Sequence, residues 1–268
     1  MTAKCTDQLN RTVTLPSWPP RRIVSLVPSQ TELLYDLGLE EEVAGITKFC
    51  IHPRHWFQTK NRVGGTKTLN FEKIDLLKPD LIIGNKEENE RAQIEALAEK
   101  YPVWMSDVRT IADANDMILR IGQLTNKEPQ ARNLVERINL QFETNLPPFA
   151  TRLAPSTVYL IWRKPYMAAG GDTFIHDMLR LAGFNNLFSH KNRYPEITPG
   201  ELADARPEVI LLSSEPYPFA EKHIAAIRET CPDARIALVD GEMFSWYGSR
   251  MHLAGRYFRQ LRESLNLA

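Results

Sequence analysis

The fold of this chain is decided by FEKIDLLKPDLII at residues 71–83, which has a counterpart, PGELADARPEVIL, at residues 199–211. Each stretch reads as a short helix, a proline followed by an acid, and an apolar run of strand length. A unit that occurs once in each half of the chain predicts two related lobes. It excludes a solenoid, which would show many shorter repeats.

Strand and helix patterns alternate on both sides of this repeat, which predicts parallel strands joined by right-handed crossovers. Between the halves, residues 110–146 carry apolar residues at spacings of three and four, typical of a long helix that restarts near Pro129. We therefore predict an α/β fold of two Rossmann-like lobes with mainly parallel sheets, joined by one long connecting helix. The predicted segments are an N-terminal tail (1–20), a first lobe (21–108), the connecting helix region (109–150) and a second lobe (151–268).

Composition excludes several classes of function. The chain has 33 Lys and Arg against 33 Asp and Glu, so no net field attracts nucleic acid. No apolar run approaches the roughly 20 residues that a membrane span requires. Three widely spaced cysteines do not form a disulfide framework, and residues 1–20 have no apolar core of a secretory signal. We expect neither a nucleic-acid partner nor a membrane span.

Loops beyond the predicted strand ends carry an unusual number of aromatic residues, whereas core aromatics normally lie inside helices and strands. In a two-lobed α/β protein the ligand lies where the carboxyl ends of the strands of both lobes face each other. Flat side chains there predict walls for a large planar ligand. The alternative is that each ring packs locally or caps a strand edge. These residues are Trp56, Trp162, Tyr166, Tyr194, Trp246 and Tyr247.

The same loops carry the polar candidates for ligand contact, which are His52, Lys67, Arg163 and Arg250. Cys50 and His52 are spaced like a soft-metal pair, but a closed metal site needs three or four ligands and no second cluster occurs. We therefore expect no protein metal site, and the alternative for this pair is a buried thiol beside a surface imidazole. No nucleophile-elbow or metal-hydrolase motif is present, so we predict no catalytic residue and a binding protein instead of an enzyme.

With these residues the chain resembles the helical-backbone (class III) periplasmic binding proteins of ABC importers, which include receptors for cobalamin, haem and iron siderophores. RIVSLVPSQTE at residues 22–32 is similar to the family's opening strand and helix. NFEKI at residues 70–74 and KPDLII at residues 78–83 are similar to its most recognisable motif, and residues 188–212 to the second-lobe counterpart. The resemblance covers residues 20–268 and is strongest to the cobalamin-binding branch.

The resemblance implies a monomeric substrate-binding protein that holds a cobalamin-like corrinoid, haem or ferric siderophore between its lobes, without a covalent cofactor. His52, Tyr194 and Trp246 fall where the cobalamin receptors contact their ligand. It also implies docking to an ABC permease through lobe-tip glutamates, where Glu72 matches and Glu201 lies one residue past the equivalent position. The family location is periplasmic or in the cell envelope. Because no signal peptide is readable, a cytoplasmic location is the alternative.

Two other functions stay open at this point. One is a cytoplasmic enzyme or carrier on the same frame that handles a corrinoid or metal chelate, using His52 or Cys50 with Lys67 or Arg163. The other is an interaction protein whose docking surface surrounds Glu72 and whose ligand site is vestigial.

Overall fold

The computed structural model describes residues 2–145 and 154–267. Its strands are β1 (Ala3–Thr6), β2 (Thr12–Leu15), β3 (Ile23–Ser25), β4 (Val43–Ile46), β5 (Asn61–Arg62), β6 (Leu81–Asn85), β7 (Val103–Ser106), β8 (Ser156–Trp162), β9 (Tyr166–Ala168), β10 (Asn185–Asn186), β11 (Glu196–Ile197), β12 (Val209–Ser213) and β13 (Arg235–Val239). Its helices are α1 (Pro28–Asp36), α2 (Arg54–Thr59), α3 (Phe71–Leu77), α4 (Arg91–Ala98), α5 (Ile111–Leu124), α6 (Glu128–Asn145), α7 (Phe174–Leu181), α8 (Pro199–Asp204), α9 (Glu221–Thr230), α10 (Glu242–Ser245) and α11 (Met251–Ser264).

The chain divides into two compact units. Unit 1 comprises Met1–Val108, Ala112–Arg137 and Tyr247–Arg250, and unit 2 comprises Arg109–Ile111, Ile138–Trp246 and Met251–Ala268. The first predicted lobe boundary, at residue 108, coincides with a unit boundary. The boundary predicted between residues 150 and 151 lies outside the described residues.

Unit 1 is built on a parallel sheet with the strand order β5-β4-β3-β6-β7. Unit 2 is built on a sheet with the order β11-β9-β8-β12-β13. In this sheet β8, β12, β13 and the extra strand β10 pair in parallel, whereas β9 pairs antiparallel with both β8 and β11. All five residues of β6 and of β12 are buried, as expected for parallel strands covered on both faces. The predicted α/β fold of two lobes with mainly parallel sheets is confirmed.

In each copy of the repeat, the acidic residue after the proline accepts hydrogen bonds from the backbone next to the central strand of its sheet. In unit 1 the Asp80 carboxylate accepts the backbone N–H groups of Arg21 at 2.8 Å and Arg22 at 2.7 Å, just before β3. In unit 2 the Glu208 carboxylate accepts the backbone N–H of Ser156 at 2.7 Å, at the first residue of β8. These charge-assisted bonds satisfy backbone donors at equivalent places in the two sheets.

The predicted N-terminal tail is wrong, because β1 and β2 pair as an antiparallel hairpin. Val13 and Leu15 are buried while Thr12 and Thr14 are exposed, which is the alternation of a half-buried strand. The buried Asp7 carboxylate accepts the backbone N–H of Arg11 at 2.8 Å and ties the hairpin turn together.

The predicted single connecting helix is two helices. The chain leaves helical conformation after α5, where Asn126 has a φ of 59°, and α6 begins at Glu128 with Pro129 in its first turn. The expected restart near Pro129 therefore holds. All of α5 except its first residue belongs to unit 1, and α6 belongs to unit 1 up to Arg137 and to unit 2 from Ile138. None of the helices in residues 2–145 and 154–267 combines the length and apolar character that a bilayer crossing needs.

Candidate functional site

An exposed aromatic pair lies where two parallel strands of unit 2 end. Trp162 is the last residue of β8 and is 39 % exposed, and its ring lies 5.6 Å from that of Tyr217 in an edge-on arrangement. Tyr217 follows β12, the parallel neighbour of β8, so both rings lie at the carboxyl edge of this sheet. That edge is where open α/β sheets place their ligands.

Two polar side chains accompany this pair. The Arg163 guanidinium lies near the phenols of Tyr217 and Tyr166, and these neighbours raise the pKa of Arg163. The structure therefore brings Trp162, Arg163 and Tyr166 together as a group.

Tyr217 is a member of this group that the sequence analysis missed. Its ring packs 4.9 Å from Phe219 and 5.5 Å from His223, behind the exposed surface. A signal was available, because Pro216-Tyr217-Pro218 directly follows an apolar strand and the prolines exclude a continued strand or helix there.

Trp246 was predicted as a wall for the ligand, but it is only 8 % exposed. Its Nε1–H donates to Glu215 Oε1 at 2.9 Å, and the Ser245 hydroxyl donates to the same oxygen at 2.6 Å. Burial raises the pKa of the Glu215 carboxyl. The indole therefore hydrogen-bonds a buried acid within unit 2, and its role as a ligand wall stays a prediction.

Tyr194 is partly exposed in the loop before β11, where the Arg193 guanidinium lies 5.7 Å from its ring centre. Its ligand contact stays a prediction. Tyr247 is buried in unit 1, so its predicted contact through an open ring face is not available in this structure.

In unit 1 the loop after β4 exposes apolar side chains. Phe49 is 49 % exposed and Ile51 is 44 % exposed, and the Lys48 ammonium lies 5.0 Å from the Phe49 ring centre. His52 follows and is partly exposed. Phe49 is not among the ligand contacts predicted from the sequence.

Trp56 is fully buried, so its predicted ligand contact is wrong for this structure. It lies inside α2 instead of in an open loop, and its ring packs edge-on at 5.5 Å from Tyr35. The Lys60 ammonium lies 5.1 Å from the same ring. Trp56 therefore packs α2 against α1, which carries Tyr35.

Lys67 is exposed and its Nζ donates to the backbone oxygen of Glu87 at 2.6 Å, so the loop after β5 is tied to the loop after β6. Gly65 lies against the Phe49 ring, where an added Cβ would come within 3.2 Å of that ring. Gly64 has a φ of +111°, which favours glycine and forms the turn. The ligand contact of Lys67 stays a prediction.

Cys50 is buried in a polar cluster beneath the same loop. The Thr31 hydroxyl contacts its Sγ at 3.0 Å and the Thr47 hydroxyl at 3.2 Å. Burial raises the pKa of the Cys50 thiol, which therefore stays protonated and unreactive near neutrality. In the part of the chain that the structure describes, no group of three or more His, Cys, Asp or Glu side chains is arranged to hold a metal ion.

Arg250 was predicted to contact the ligand, but within unit 1 its guanidinium forms a two-bonded ion pair with Glu32. Nε donates to Oε2 at 2.8 Å and Nη2 to Oε1 at 2.5 Å, and both side chains are largely buried. Arg250 therefore ties residues 247–250 to Glu32 in unit 1, and its ligand contact stays a prediction.

The two lobe-tip glutamates differ. Glu72 is exposed in the first turn of α3, whose N-cap is the Asn70 side chain. Glu201 is in the first turn of α8, where it accepts the Thr198 backbone N–H at 2.8 Å in a capping box and pairs with Lys191 at 2.8 Å. The Lys191 ammonium, followed by the Thr198 backbone, lowers the pKa of Glu201 to about 2.

A separate cavity of about 470 Å³ lies in unit 1 between the N-terminal hairpin and α5, with Cys5, Trp18, Trp104 and Arg120 in its walls. None of the predicted ligand residues lines it.

Comparison with known proteins gives the family. The family model described as periplasmic binding protein matches residues 23–230. The vitamin B12-binding protein of Yersinia pestis (strain Pestoides F) is 25 % identical over 203 residues, which cover 75 % of this chain and 72 % of the relative.

Two solved structures share the fold. The periplasmic vitamin B12 binding protein BtuF of Vibrio cholerae superposes with a TM-score of 0.74 at 20 % identity, covering 93 % of this chain and 99 % of that one. The periplasmic heme-binding protein BhuT, in complex with two hemes, gives 0.79 at 22 % identity, covering 92 % and 99 %. These relatives are binding proteins and not enzymes, as predicted. The chain belongs to the periplasmic binding protein family and has a solute-binding role.

Proposed function

We propose that this chain is the substrate-binding protein of an ABC importer and that it binds a cobalamin-like corrinoid or a metal chelate such as haem or a ferric siderophore. The observation that carries the proposal is the exposed Trp162 ring with Tyr217 and Arg163 beside it at the carboxyl edge of the unit 2 sheet. An open indole next to a phenol and a guanidinium offers a flat ligand both an apolar face and a polar edge.

Unit 1 supports the same class of ligand. Phe49 and Ile51 expose apolar surface at the carboxyl end of β4, beside Lys48 and the partly exposed His52. Contiguous exposed apolar surface often marks a site for a ligand or partner. The names of the similar proteins specify vitamin B12 and heme as their ligands. Both ligands are large ring chelates, which supports the same class of ligand here.

Docking to a permease and the compartment are further parts of the proposal. Glu72 is exposed and well placed for an arginine of a membrane partner, whereas Glu201 is engaged by Lys191 and Thr198. We therefore propose that docking depends on Glu72 more than on Glu201. The family name supports a location in the periplasm or cell envelope, and a monomer is the proposed state.

The enzyme alternative needs a reactive Cys50 thiol or a His52 base. Burial raises the pKa of Cys50, so the thiolate that such chemistry requires is disfavoured. A binding protein accounts better for the exposed rings.

The test is a titration of the purified protein with cyanocobalamin, haemin and a ferric siderophore, followed by tryptophan fluorescence. We expect saturable quenching by one of them, weakened about tenfold or more in Trp162→Ala because the ring face is lost. Trp18→Ala is the matched control, since Trp18 is also exposed but lies in unit 1, where its indole donates to the backbone of Gln123 in α5. Absence of saturation with all three ligands would contradict the proposal.

A further inference from the structure

His223 lies buried behind Tyr217 at the start of α9, and its hydrogen bonds fix where its proton is. The Ala220 backbone N–H donates to His223 Nδ1 at 2.9 Å. Because a backbone N–H only donates, Nδ1 carries a lone pair and the single ring proton is on Nε2. Nε2 lies 3.3 Å from the Tyr217 hydroxyl, so the imidazole donates to that oxygen.

The surroundings keep this imidazole neutral. The charged groups that act on it are Arg163, from the turn between β8 and β9, and Lys222, from α9 itself. Burial lowers the pKa of His223, and these two cations lower it further. At neutral pH the ring therefore keeps the tautomer that donates to Tyr217.

The Tyr217 oxygen thus accepts the Nε2–H of His223 at 3.3 Å, and the Arg163 guanidinium lies near the same phenol, which raises the pKa of Arg163. A phenol oxygen that accepts a hydrogen bond still has one hydrogen of its own to donate. Because His223 is the donor in this pair, the hydroxyl hydrogen points away from His223. Tyr217 is consequently set to donate a hydrogen bond to another group at the exposed edge next to Trp162.

We propose that Trp162, Arg163 and Tyr217 form a subsite for a carboxylate on the edge of a flat ring ligand, and that His223 is the positioning residue that makes Tyr217 a donor. A carboxylate only accepts, so it can take both the guanidinium and the phenol hydrogen, in charge-assisted bonds. A neutral ester or amide at the same place accepts more weakly. This assignment rests on the proposed function and narrows its ligand to a chelate with an acidic periphery.

The test uses two matched pairs of probes that share a ring system and differ in one kind of group. The first pair is haemin and its dimethyl ester, and the second is cyanocobalamin and the monocarboxylic acid made by hydrolysing one side-chain amide. In the ring system that binds, we expect the acid form to bind about tenfold or more tightly than the neutral form. Tyr217→Phe should lower this preference, because only Arg163 then remains to bind the carboxylate, and Tyr35→Phe, in unit 1, should keep it.

The role of His223 is separated from a general effect on folding by two variants. His223→Gln keeps a donor at the place of Nε2, whereas His223→Asn keeps only an acceptor for the Ala220 N–H. We expect the acid preference to survive in His223→Gln and to fall in His223→Asn, with similar thermal unfolding of the two proteins. If either variant does not fold, Tyr217→Phe decides alone.

The outcomes distinguish the two proposals. Binding with equal affinity for the acid and neutral forms, or an acid preference unchanged in Tyr217→Phe, overturns the carboxylate subsite and leaves the proposed function standing. Failure of the wild-type protein to bind either ring system overturns the carboxylate subsite, and failure to bind the ferric siderophore as well overturns the proposed function.

Discussion

Replacing Arg250 with methionine tests whether this residue holds the fold or the ligand. In the structure its guanidinium is paired with Glu32 through two hydrogen bonds, at 2.8 and 2.5 Å, with side-chain exposures of 11 % and 16 %. Methionine keeps much of the side-chain length while removing the charge, so it leaves the Glu32 carboxylate largely buried and without this cation. We expect Arg250→Met to destabilise the protein before any ligand is added.

The size of the effect follows from the burial of the pair. Two unit charges about 4 Å apart attract by about 4 kcal/mol at an effective dielectric constant of about 20, and the desolvation of both groups offsets part of this. Removing one partner should therefore cost about 2–3 kcal/mol. For a chain of this size each kcal/mol lowers the melting temperature by about 2–4 °C, so we expect a loss of about 4–12 °C.

The assay is thermal unfolding by circular dichroism of the wild type, Arg250→Met, Glu32→Gln and the double variant. Because the two side chains share one interaction, the double variant should lose less than the sum of the single losses, by about 1–2 kcal/mol. A result that refutes the reasoning is an Arg250→Met protein with unchanged unfolding and a tenfold or greater loss of ligand affinity. That result would indicate that Arg250 contacts the ligand.

Three further predictions concern the carboxylates of Asp80 and Glu201 and the thiol of Cys50. Asp80→Ala removes the acceptor of two backbone N–H groups before β3 and should lower stability by about 1–2 kcal/mol; thermal unfolding checks this, and a variant as stable as the wild type would contradict it. The pKa of Glu201 is lowered from 4.5 to about 2, so its stabilisation is complete above pH 4.5 and is lost as the pH falls toward 2. The melting-temperature difference between wild type and Glu201→Gln should therefore be constant above pH 4.5 and shrink below it, and a difference independent of pH would argue against the pairing with Lys191. Iodoacetamide at neutral pH should label Cys50 only after denaturation, as read by peptide mass spectrometry, and labelling in the native protein would show that the thiol is accessible.

The sequence predicted the fold well because its signals are local and repeated. The apolar run of β12 is continuous and all five residues are buried, as a parallel strand requires. The repeat also marked equivalent places in both units, and the structure supplies its physical reason, since Asp80 and Glu208 each bind the backbone at the start of a central strand. What the sequence did not reveal was the N-terminal hairpin, whose strands are polar and whose turn depends on the buried Asp7.

The candidate site was predicted less well, because the position of a ring relative to a strand does not determine whether the ring is buried. Trp56 and Trp162 both follow predicted strands, but Trp56 lies inside α2 and is fully buried, whereas Trp162 ends β8 and is exposed. The burial of Trp246 depends on Glu215, which is 31 residues away in the chain. Such long-range partners carry no local signal.

The most direct test of the central claim is native mass spectrometry of the purified chain mixed with equal amounts of cyanocobalamin, haemin and a ferric siderophore. We predict a complex of one chain with one molecule of one of these chelates, which Trp162→Ala depletes and Trp18→Ala does not. If only the unliganded chain is detected with every one of these ligands, the claim that this protein binds a flat metal chelate at the edge of the unit 2 sheet is contradicted.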